Sequence, residues 1–388
     1  MKVGVFYLPS VGSTEEVQRG MAGNSVEAYA RMLRDLSEQA TLADDLGYDS
    51  IAFTEHHFHI EGFELSNNPV LLDLFVGLQT KRIRVGQLGI VLPASSPLRV
   101  AEDIAMLDHM TGGRAFAGFA RGYQRRWVDT LAQPYRVLHA TSSDQGEVDQ
   151  LNREAFEEFF QIIKLAWTRD TFSFDGKFWK IPPDDVPWDM EATRTMGSGV
   201  DADGRLVEIG VVPKPVQKPH PPLMQPFAFS ESTIRWCARE NVMPVLAPVN
   251  AALESQLFGV YADTSGLPAG EQMGVLRDVV VADTDEEALN LWANSGAFVG
   301  GAWFSPFGFT AAIPEPGETS DDITPQLLID RSLVLVGSVD TVSRQLESLL
   351  DRLPLKYLLA WQYVSLIPND ELKRSLELFA TKVLPRFD

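Results

Sequence analysis

A glutamate and two histidines stand together where an apolar segment of the sequence ends. Glu55-His56-His57 follows the run of residues 48–54, which begins directly after Gly47. The run has the composition of a buried strand, and a β/α barrel keeps its chemistry at the carboxyl ends of the strands. Because an imidazole ionises near neutral pH, His56 or His57 could exchange protons with a bound ligand. The alternative, that both histidines are structural, remains open at this point.

Alternation along a strand directs His56 and His57 to opposite sides, unless the chain has already turned into a loop. Glu55 could orient or tune His56 only if such a turn occurs. A metal site that also uses His59 is a third interpretation, but no Cys or nearby Asp completes a tetrahedral set. Cys237 is the single cysteine, which excludes an intrachain disulfide and a cysteine redox pair. We therefore expect no metal, and redox chemistry has to come from a cofactor.

A second group of residues is suited to binding an anion such as phosphate. Arg121-Gly122 directly follows a predicted strand, and the glycine lets the backbone approach a ligand closely. Ser230 and Thr233 lie at the end of another strand and in the first turn of the next helix, where N–H groups and hydroxyls bind anions. The alternatives are a surface ion pair for Arg121 and helix capping by Ser230, which would leave Thr233 unused.

Leu88-Gly89 interrupts an aliphatic strand with a residue that strands normally avoid. A flat ligand passing close to the backbone would explain the glycine. A β-bulge without a ligand explains it equally well.

The composition restricts the class of partner. The chain has 388 residues, a formal net charge of -20 and no long Lys/Arg cluster, which argues against nucleic acid and anionic membranes. There is no cleavable signal pattern and no stretch of about 18 apolar residues that could span a bilayer. We expect a soluble, cytoplasmic protein that acts on a small molecule.

Strands and helices alternate along the sequence. The predicted strands are residues 3–8, 48–54, 83–92, 114–120, 223–228, 243–249, 275–281 and 357–364. Eight such strands predict an α/β fold, a (β/α)8 TIM barrel formed by one domain over residues 1–388. A doubly wound sheet is less well supported, because the first βα connection lacks a Gly-x-Gly-x-x-Gly turn. The chain is longer than a barrel requires, so we expect insertions near residues 124–215 and 296–332.

Short signals predict where several elements begin and end. The first helix is predicted to stop at Gly47, and the next two to open at Asn68-Pro69 and Ser96-Pro97. Within the first insertion the pattern predicts a helix over residues 152–169 and a hairpin around Asp175-Gly176.

The insertion at residues 296–332 joins an aromatic stretch to a polar one. Trp303, Phe304, Phe307 and Phe309 precede the segment from Pro314 to Asp322. This pattern predicts an active-site lid whose aromatic rings close over an apolar substrate and exclude water. The alternative is a packed surface insertion or a dimer contact. Trp361 on the eighth strand is a further candidate for the pocket wall, although an indole is more often part of the core.

Taken together, these segments resemble the bacterial luciferase-like flavin monooxygenases over nearly the whole chain. The matching stretches are residues 2–6, 47–49 with 55–58, 90–93 with Pro97 and residues 102–103, 107–108 with 113–114, 118–122 and 213–222. The resemblance implies a TIM barrel that binds FMN as FMNH2 and forms a C4a-hydroperoxyflavin with O2. It further implies oxygen transfer to a small, mostly apolar substrate, a separate flavin reductase and a homodimer.

The same resemblance implies roles for individual residues. His56 looks like the catalytic histidine, and Arg121, Ser230 and Thr233 look like the contacts of the flavin phosphate. Leu88-Gly89 takes the place of a non-proline cis peptide beneath the isoalloxazine ring. Two residues depart from the pattern of luciferase proper. Ala120 stands in place of a cysteine near the flavin, so light emission from an aldehyde does not follow from the resemblance. Phe229 stands in place of an acidic residue beside the phosphate site, which is expected to alter how the phosphate or ribityl chain is held.

Two other functions are compatible with this sequence. Barrels of the same superfamily also serve deazaflavin-dependent oxidoreductases, which transfer hydride and do not use O2. A non-catalytic flavin-binding homologue is the second alternative. The presence of His56 together with the candidate phosphate residues argues against it.

Overall fold

Strands and helices alternate through most of the computed structural model, which describes residues 1–141 and 146–387. Residues 142–145, which belong to the predicted 124–215 insertion, and Asp388 lie outside the described residues. The strands are β1 (Lys2–Tyr7), β2 (Ser50–Phe53), β3 (Arg84–Gln87), β4 (Ile90–Val91), β5 (Ala115–Ala120), β6 (Phe174–Asp175), β7 (Lys180–Ile181), β8 (Leu223–Ala228), β9 (Met243–Leu246), β10 (Gly274–Ala282), β11 (Leu335–Ser338) and β12 (Tyr357–Gln362).

The helices connect these strands. They are α1 (Thr14–Arg19), α2 (Val26–Leu46), α3 (Pro69–Gly77), α4 (Pro97–Met110), α5 (Arg125–Leu131), α6 (Glu147–Thr168), α7 (Glu191–Met196), α8 (Glu231–Glu240), α9 (Ala251–Ser265), α10 (Asp285–Ala293), α11 (Gly296–Val299), α12 (Pro325–Asp330), α13 (Val339–Arg352) and α14 (Asn369–Leu378). No helix of the described residues is both long enough and apolar enough to cross a membrane.

Eight of the strands form a closed parallel barrel. Their order is β12-β1-β2-β3-β5-β8-β9-β10, and β10 pairs back onto β12 through Gly274↔Tyr357 to Asp278↔Trp361. The strands are almost entirely buried, and this includes all nine residues of β10. This burial explains why they read as continuous apolar runs. The predicted (β/α)8 TIM barrel is confirmed.

Local signals set the ends of the first helices. Helix α2 begins after Ser25, whose hydroxyl accepts a hydrogen bond from the Ala28 N–H, and ends at Gly47 with φ of 85°. Helix α3 begins after Asn68, which caps it in the same way, with Pro69 in its first turn. These ends agree with the sequence prediction. Ser96 precedes α4 as predicted, but its side chain makes no capping hydrogen bond within the described residues.

The chain forms two compact units. The first comprises residues 1–89, 116–119 and 223–388, and it contains the barrel strands apart from the two end residues of β5. The second comprises residues 90–115 and 120–222. That residues 1–388 form a single domain stays a prediction.

The second unit contains most of the first predicted insertion. Its α6 packs on α4, and the Trp167 indole N–H donates to the Ala101 carbonyl over 2.9 Å. The sequence predicted α6 from residue 152 onwards, and the helix begins five residues earlier, at Glu147. The hairpin expected around Asp175-Gly176 is present as the antiparallel pair β6 and β7.

The second predicted insertion, residues 296–332, lies in the first unit. It consists of α11, a π-helical turn at residues 300–304, two short 3-10 segments and α12. It leads into β11, which the sequence analysis did not identify. Strand β11 pairs with the carboxyl-terminal half of β10, from Val279↔Leu335 to Ala282↔Ser338, and is not one of the eight barrel strands.

A buried ion pair fixes the end of this insertion to the barrel. Arg277 on β10 pairs with Glu254 on α9, and neither side chain is exposed to solvent. The Arg277 guanidinium also donates to the Ser332 carbonyl over 3.0 Å, and Arg352 donates to Glu254 over 3.2 Å. The ion pair therefore connects α9, β10, α13 and the chain that enters β11.

We predict that Glu254→Ala strongly destabilises the protein. The substitution leaves the Arg277 guanidinium buried without its carboxylate, which costs about 3–5 kcal/mol of unfolding free energy. Urea unfolding measures this quantity. The exposed Glu347 on α13 provides a matched control, because its replacement by alanine should change stability by less than about 0.5 kcal/mol. Equal stability losses in the two variants would contradict a special role for the pair.

Candidate active site

His56 lies just beyond the carboxyl end of β2, where the chain has left the strand and entered a loop. Its side chain is buried, its Nδ1 lies 3.0 Å from the Thr54 hydroxyl, and its backbone N–H donates to the Ser66 carbonyl over 3.0 Å. Strand alternation no longer applies in this loop, and the adjacent side chains of Glu55 and His56 contact different residues. Glu55 contacts His57 over 3.0 Å through Oε1.

A second acidic side chain lies beside the His56 ring, that of Glu64, which no pattern in the sequence singles out. Glu64 is 1% exposed, and its Oε1 lies 3.5 Å from His56 Nε2. Its Oε2 lies 3.4 Å from His59 Nδ1 and accepts a hydrogen bond from the Trp303 indole over 2.8 Å. His56, Glu64, His59 and Trp303 therefore form one buried cluster, which we call the histidine cluster.

Burial controls the charge of His56. It lowers the pKa of the ring well below the usual value of 6.5, and the neighbouring His59 and His57 lower the pKa further when they are charged. His56 is therefore neutral at pH 7. A neutral imidazole can accept a proton, whereas an imidazolium can only donate one.

The Leu88–Gly89 peptide bond is cis, as the family resemblance predicted. Gly89 is needed at this position because the backbone of Gly118 lies against it. A Cβ atom added at Gly89 would stand 2.7 Å from the carbonyl group of Gly118. Any side chain at residue 89 would therefore displace β5 from its neighbour.

Ser230 and Thr233 lie together at the amino terminus of α8. The Ser230 hydroxyl accepts a hydrogen bond from the Thr233 N–H over 3.4 Å and donates to the Thr233 hydroxyl over 2.9 Å. Ser230 is thus the N-cap of the helix, and Thr233 takes part in the cap. Both side chains are partly exposed, so the hydroxyls and the positive end of the helix remain accessible to an anion.

Arg121 belongs to the second unit, where its side chain forms an ion pair and a hydrogen bond. Its guanidinium pairs with the Asp149 carboxylate and donates through Nε to Asn152 over 3.0 Å. Burial lowers the pKa of Arg121, and the pairing with Asp149 opposes that shift. Of the two interpretations of Arg121, the ion pair is observed. The phosphate contact stays a prediction.

The aromatic residues of the 296–332 segment form contacts with two parts of the first unit. Trp303 packs on His59, with ring centroids 5.1 Å apart, and on Phe307 at 5.8 Å. Phe304 packs edge-on against Trp361 at 5.3 Å. Four of the aromatic residues predicted for the lid and pocket thus divide into a Trp303–Phe307 pair and a Phe304–Trp361 pair.

The Phe304–Trp361 pair lines a cavity of about 270 Å³ in the first unit. Phe227 and Phe309 complete a ring of aromatic side chains, because each contacts the other and one member of the pair with centroids 5.5–5.9 Å apart. Trp303 and Phe307 are not part of this cavity wall. The wall is mainly apolar, as suits an apolar guest.

Among the described residues, Asp278 on β10 is the one carboxyl group in that wall. It accepts hydrogen bonds from the Trp292 indole over 2.7 Å and from the Tyr363 hydroxyl over 2.8 Å. Burial raises the pKa of Asp278 to about 6, against the lowering effect of the two donors. Sequence reasoning missed Asp278 because it lies inside a strand with no distinctive neighbours. Within residues 1–141 and 146–387, no cluster of three His, Cys, Asp or Glu side chains is arranged to hold a metal ion.

Comparison with known proteins agrees with the sequence resemblance. Residues 1–353 match the family model of the luciferase-like monooxygenases. The 3,6-diketocamphane 1,6-monooxygenase of Pseudomonas putida is 25% identical over 342 residues, which cover 81% of this chain and 82% of that protein. The alkanal monooxygenase alpha chain of Photorhabdus laumondii is 34% identical over 158 residues, which cover 40% of this chain and 39% of that protein.

Solved structures share the fold. One is a type II Baeyer–Villiger monooxygenase in complex with FMN, the oxygenating constituent of 3,6-diketocamphane monooxygenase from Pseudomonas putida. It has a TM-score of 0.75 and 21% identity, with 100% of this chain and 98% of that chain covered. The coenzyme F420-dependent tetrahydromethanopterin reductase of Methanopyrus kandleri has a TM-score of 0.62 and 15% identity, with 100% and 99% covered.

The family model covers most of the chain and the barrel is complete. The flavin-dependent monooxygenase predicted from the sequence is therefore confirmed at the level of the family. This chain belongs to the luciferase-like monooxygenases.

Proposed function

We propose that this chain is the oxygenase of a two-component system, which receives FMNH2 from a separate reductase and oxygenates a small, mostly apolar organic substrate with O2. The observation that supports this function best is a neutral, buried imidazole at the carboxyl end of a barrel strand in a luciferase-like monooxygenase. Bound reduced FMN would supply the chemistry by activating O2 and delivering one oxygen atom. We also propose a cytoplasmic homodimer.

His56 is the proposed catalytic residue. Because its ring is neutral at pH 7, it can take a proton from the flavin or the substrate and return it later. Its burial also keeps water away from the ring, which protects a reactive oxygen species from unproductive loss. Glu55, which contacts His57, is proposed to act on His56 only indirectly, through its neighbour.

The flavin contacts are proposed from the family pattern and local geometry. Leu88-Gly89 is proposed to lie beneath the isoalloxazine ring, because it matches the family's position for that contact. Ser230 and Thr233 offer hydroxyls at a helix amino terminus for the phosphate. Arg121 is proposed as a further phosphate contact. Since Asp149 now holds its guanidinium, phosphate would have to compete with that carboxylate.

The aromatic cavity supports an apolar substrate. Its wall offers ring faces and edges from Phe304, Trp361 and two further phenylalanines, which favour aliphatic and cyclic molecules. Asp278 adds one polar group against which such a molecule could be oriented. The 296–332 segment supplies much of the wall, and we propose that it acts as a lid.

The function is tested by mixing the protein, loaded with FMNH2 under anaerobic conditions, with isotopically labelled O2 and a panel of cyclic ketones and other apolar compounds. Mass spectrometry should find one labelled oxygen atom in a product. A parallel titration with reduced deazaflavin tests the hydride-transfer alternative. Binding of deazaflavin but not of FMN, or no labelled product beyond the protein-free control, would rule out the proposed oxygenase.

The charge state of His56 gives the first prediction for this site. In a histidine NMR titration, the His56 ring should remain neutral at pH 6.5 and take up its proton only well below that pH. The unfolded chain takes up this proton near pH 6.5, so His56 makes folding less favourable as the pH falls through that value. His56→Gln assigns the resonance. A His56 midpoint at or above 6.5 would contradict the buried neutral ring.

Replacement of His56 should separate flavin binding from turnover. We expect His56→Ala to bind FMN with unchanged affinity and to lose roughly 100-fold or more in oxygenation rate, because a positioned general base is removed. His57→Ala is the matched control. Its ring is partly exposed and contacts Glu55, so its loss should be much smaller. Equal rates for the two variants would remove His56 from the mechanism.

Substitutions of Arg121 and of Asp149 should change the affinity for FMN in opposite directions. Arg121→Ala should weaken FMN binding roughly 10- to 100-fold, the range expected for a charge-assisted hydrogen bond to phosphate. Asp149→Asn should tighten binding, because it removes the carboxylate that competes for the guanidinium. Riboflavin, which lacks the phosphate, should bind all three proteins equally. A loss of riboflavin binding in Arg121→Ala would instead indicate a structural role.

A further inference from the structure

Glu64 is the centre of the histidine cluster, and neither the family pattern nor the proposed function assigns it a role. Three side chains converge on its carboxylate: His56 at 3.5 Å, His59 at 3.4 Å and Trp303 at 2.8 Å. The carboxylate is 1% exposed. A carboxylate so far from water requires donors around it, since its burial is otherwise unfavourable.

The loop backbone holds Glu64 in this place. Glu64 has a positive φ of 52°, its carbonyl accepts from the Ser66 N–H over 2.9 Å, and the Ser66 carbonyl accepts from the His56 N–H over 3.0 Å. The Ser66 hydroxyl donates to the Thr54 carbonyl at the end of the strand. The main chain that follows Glu64 is therefore hydrogen-bonded, through Ser66, to Thr54 and His56.

We propose that Glu64 is a positioning residue that fixes the tautomer of His56 and links it to the 296–332 segment through Trp303. The contacts around Glu64 do not depend on which reaction the protein catalyses, but an effect of Glu64 on turnover rests on the proposed function. Glu55, the acidic neighbour in sequence, is not the residue that does this.

The tautomer follows from the groups on either side of the ring. A neutral imidazole has one N–H and one acceptor nitrogen. A carboxylate only accepts, so the His56 nitrogen that faces Glu64, Nε2, bears the hydrogen. Nδ1 then accepts the hydrogen of the Thr54 hydroxyl over 3.0 Å. The Trp303 indole can only donate, which keeps the other oxygen of Glu64 in the acceptor role.

Two consecutive residues of the 296–332 segment touch the two parts of the site. Trp303 donates to Glu64 and packs on His59 and Phe63, while Phe304 packs on Trp361 and lines the aromatic cavity. A displacement of this turn that opens the cavity therefore also withdraws a donor from Glu64. The carboxylate would then interact more strongly with the two histidine rings that remain beside it, those of His56 and His59. Closure of the 296–332 segment therefore changes the hydrogen bonding of His56, the proposed base.

Nitrogen-15 NMR of the six histidines tests the tautomer without flavin or substrate. His56 of the unmodified protein should be the Nε2–H tautomer at pH 7. Glu64→Gln presents an amide that can donate to Nε2, so the population should shift towards Nδ1–H. Glu55→Gln is the matched control and should shift the His57 signals while leaving His56 as the Nε2–H tautomer. An Nδ1–H tautomer in the unmodified protein, or equal His56 signals in both variants, would overturn the proposal.

Trp303→Phe tests the link to the segment and remains informative if Glu64→Gln fails to fold. It keeps an aromatic ring on His59 but removes the N–H that bonds to Glu64. Proteolytic cleavage within residues 296–332 should therefore become at least several-fold faster, and the chemical shifts of the His56 ring nitrogens should change. Trp188→Phe, whose indole bonds to Thr193, is the control and should change neither. An unchanged His56 signal in Trp303→Phe would disprove the coupling.

Activity distinguishes this proposal from the proposed function. If the chain is an oxygenase, Glu64→Gln should bind FMN normally and lose roughly 100-fold in turnover, as expected when a catalytic group is misplaced. Full turnover in Glu64→Gln would disprove the positioning role and leave the oxygenase intact. A tautomer shift in Glu64→Gln, combined with no oxygenase activity in the unmodified protein, would support the positioning role and disprove the oxygenase function.

Discussion

Closure of the barrel depends on the pairing of β10 with β12. Parallel strands that form a closed ring must all point the same way, so the loop that follows each strand emerges at the same end. The loop after β2 and the amino terminus of α8 after β8 therefore emerge at one end of the barrel, although they are far apart in sequence. The segment after α10 follows a helix and not a strand, and its contact with the loop after β2 is the hydrogen bond from Trp303 to Glu64. Burial of the strands supplies the driving force, and the Arg277–Glu254 ion pair restricts which arrangement of the surrounding helices is compatible with it.

The parts of the fold that could be predicted are those that depend on neighbours in sequence. Gly47 ends α2 and Asn68-Pro69 begins α3 because the required backbone conformation and capping group lie within a turn of each other. The buried strands were recognisable from their apolar composition. By contrast, β11 was missed, since a short apolar run beside a long loop has the same composition as a core segment. Only its pairing with β10 makes it a strand.

The site was predictable to the same extent. The sequence pattern placed His56 at the end of a strand and left open whether the chain had already turned into a loop, and the resemblance predicted the cis peptide at Leu88-Gly89. The partner of His56 did not, because Glu64 reaches the ring only after the loop has turned through a positive φ, and Trp303 joins it from 239 residues further along the chain. The adjacent Glu55 was the natural choice from sequence and contacts His57 instead. Arg121 shows a related limit. Its position after a strand was visible in the sequence, whereas its pairing with Asp149 depends on where α6 begins.

Burial of the histidine cluster has two consequences that act together. Desolvation keeps His56 neutral, which makes it a base, but a neutral ring can adopt either tautomer and only one presents a given nitrogen as acceptor. A buried carboxylate beside Nε2 resolves that ambiguity, because it pairs with an N–H and not with a lone pair. The same carboxylate would be unfavourable without a second donor, and here the second donor comes from the segment that walls the aromatic cavity. The need for hydrogen-bond donors around one buried carboxylate thus connects the loop after β2 with the position of the segment that lines the aromatic cavity.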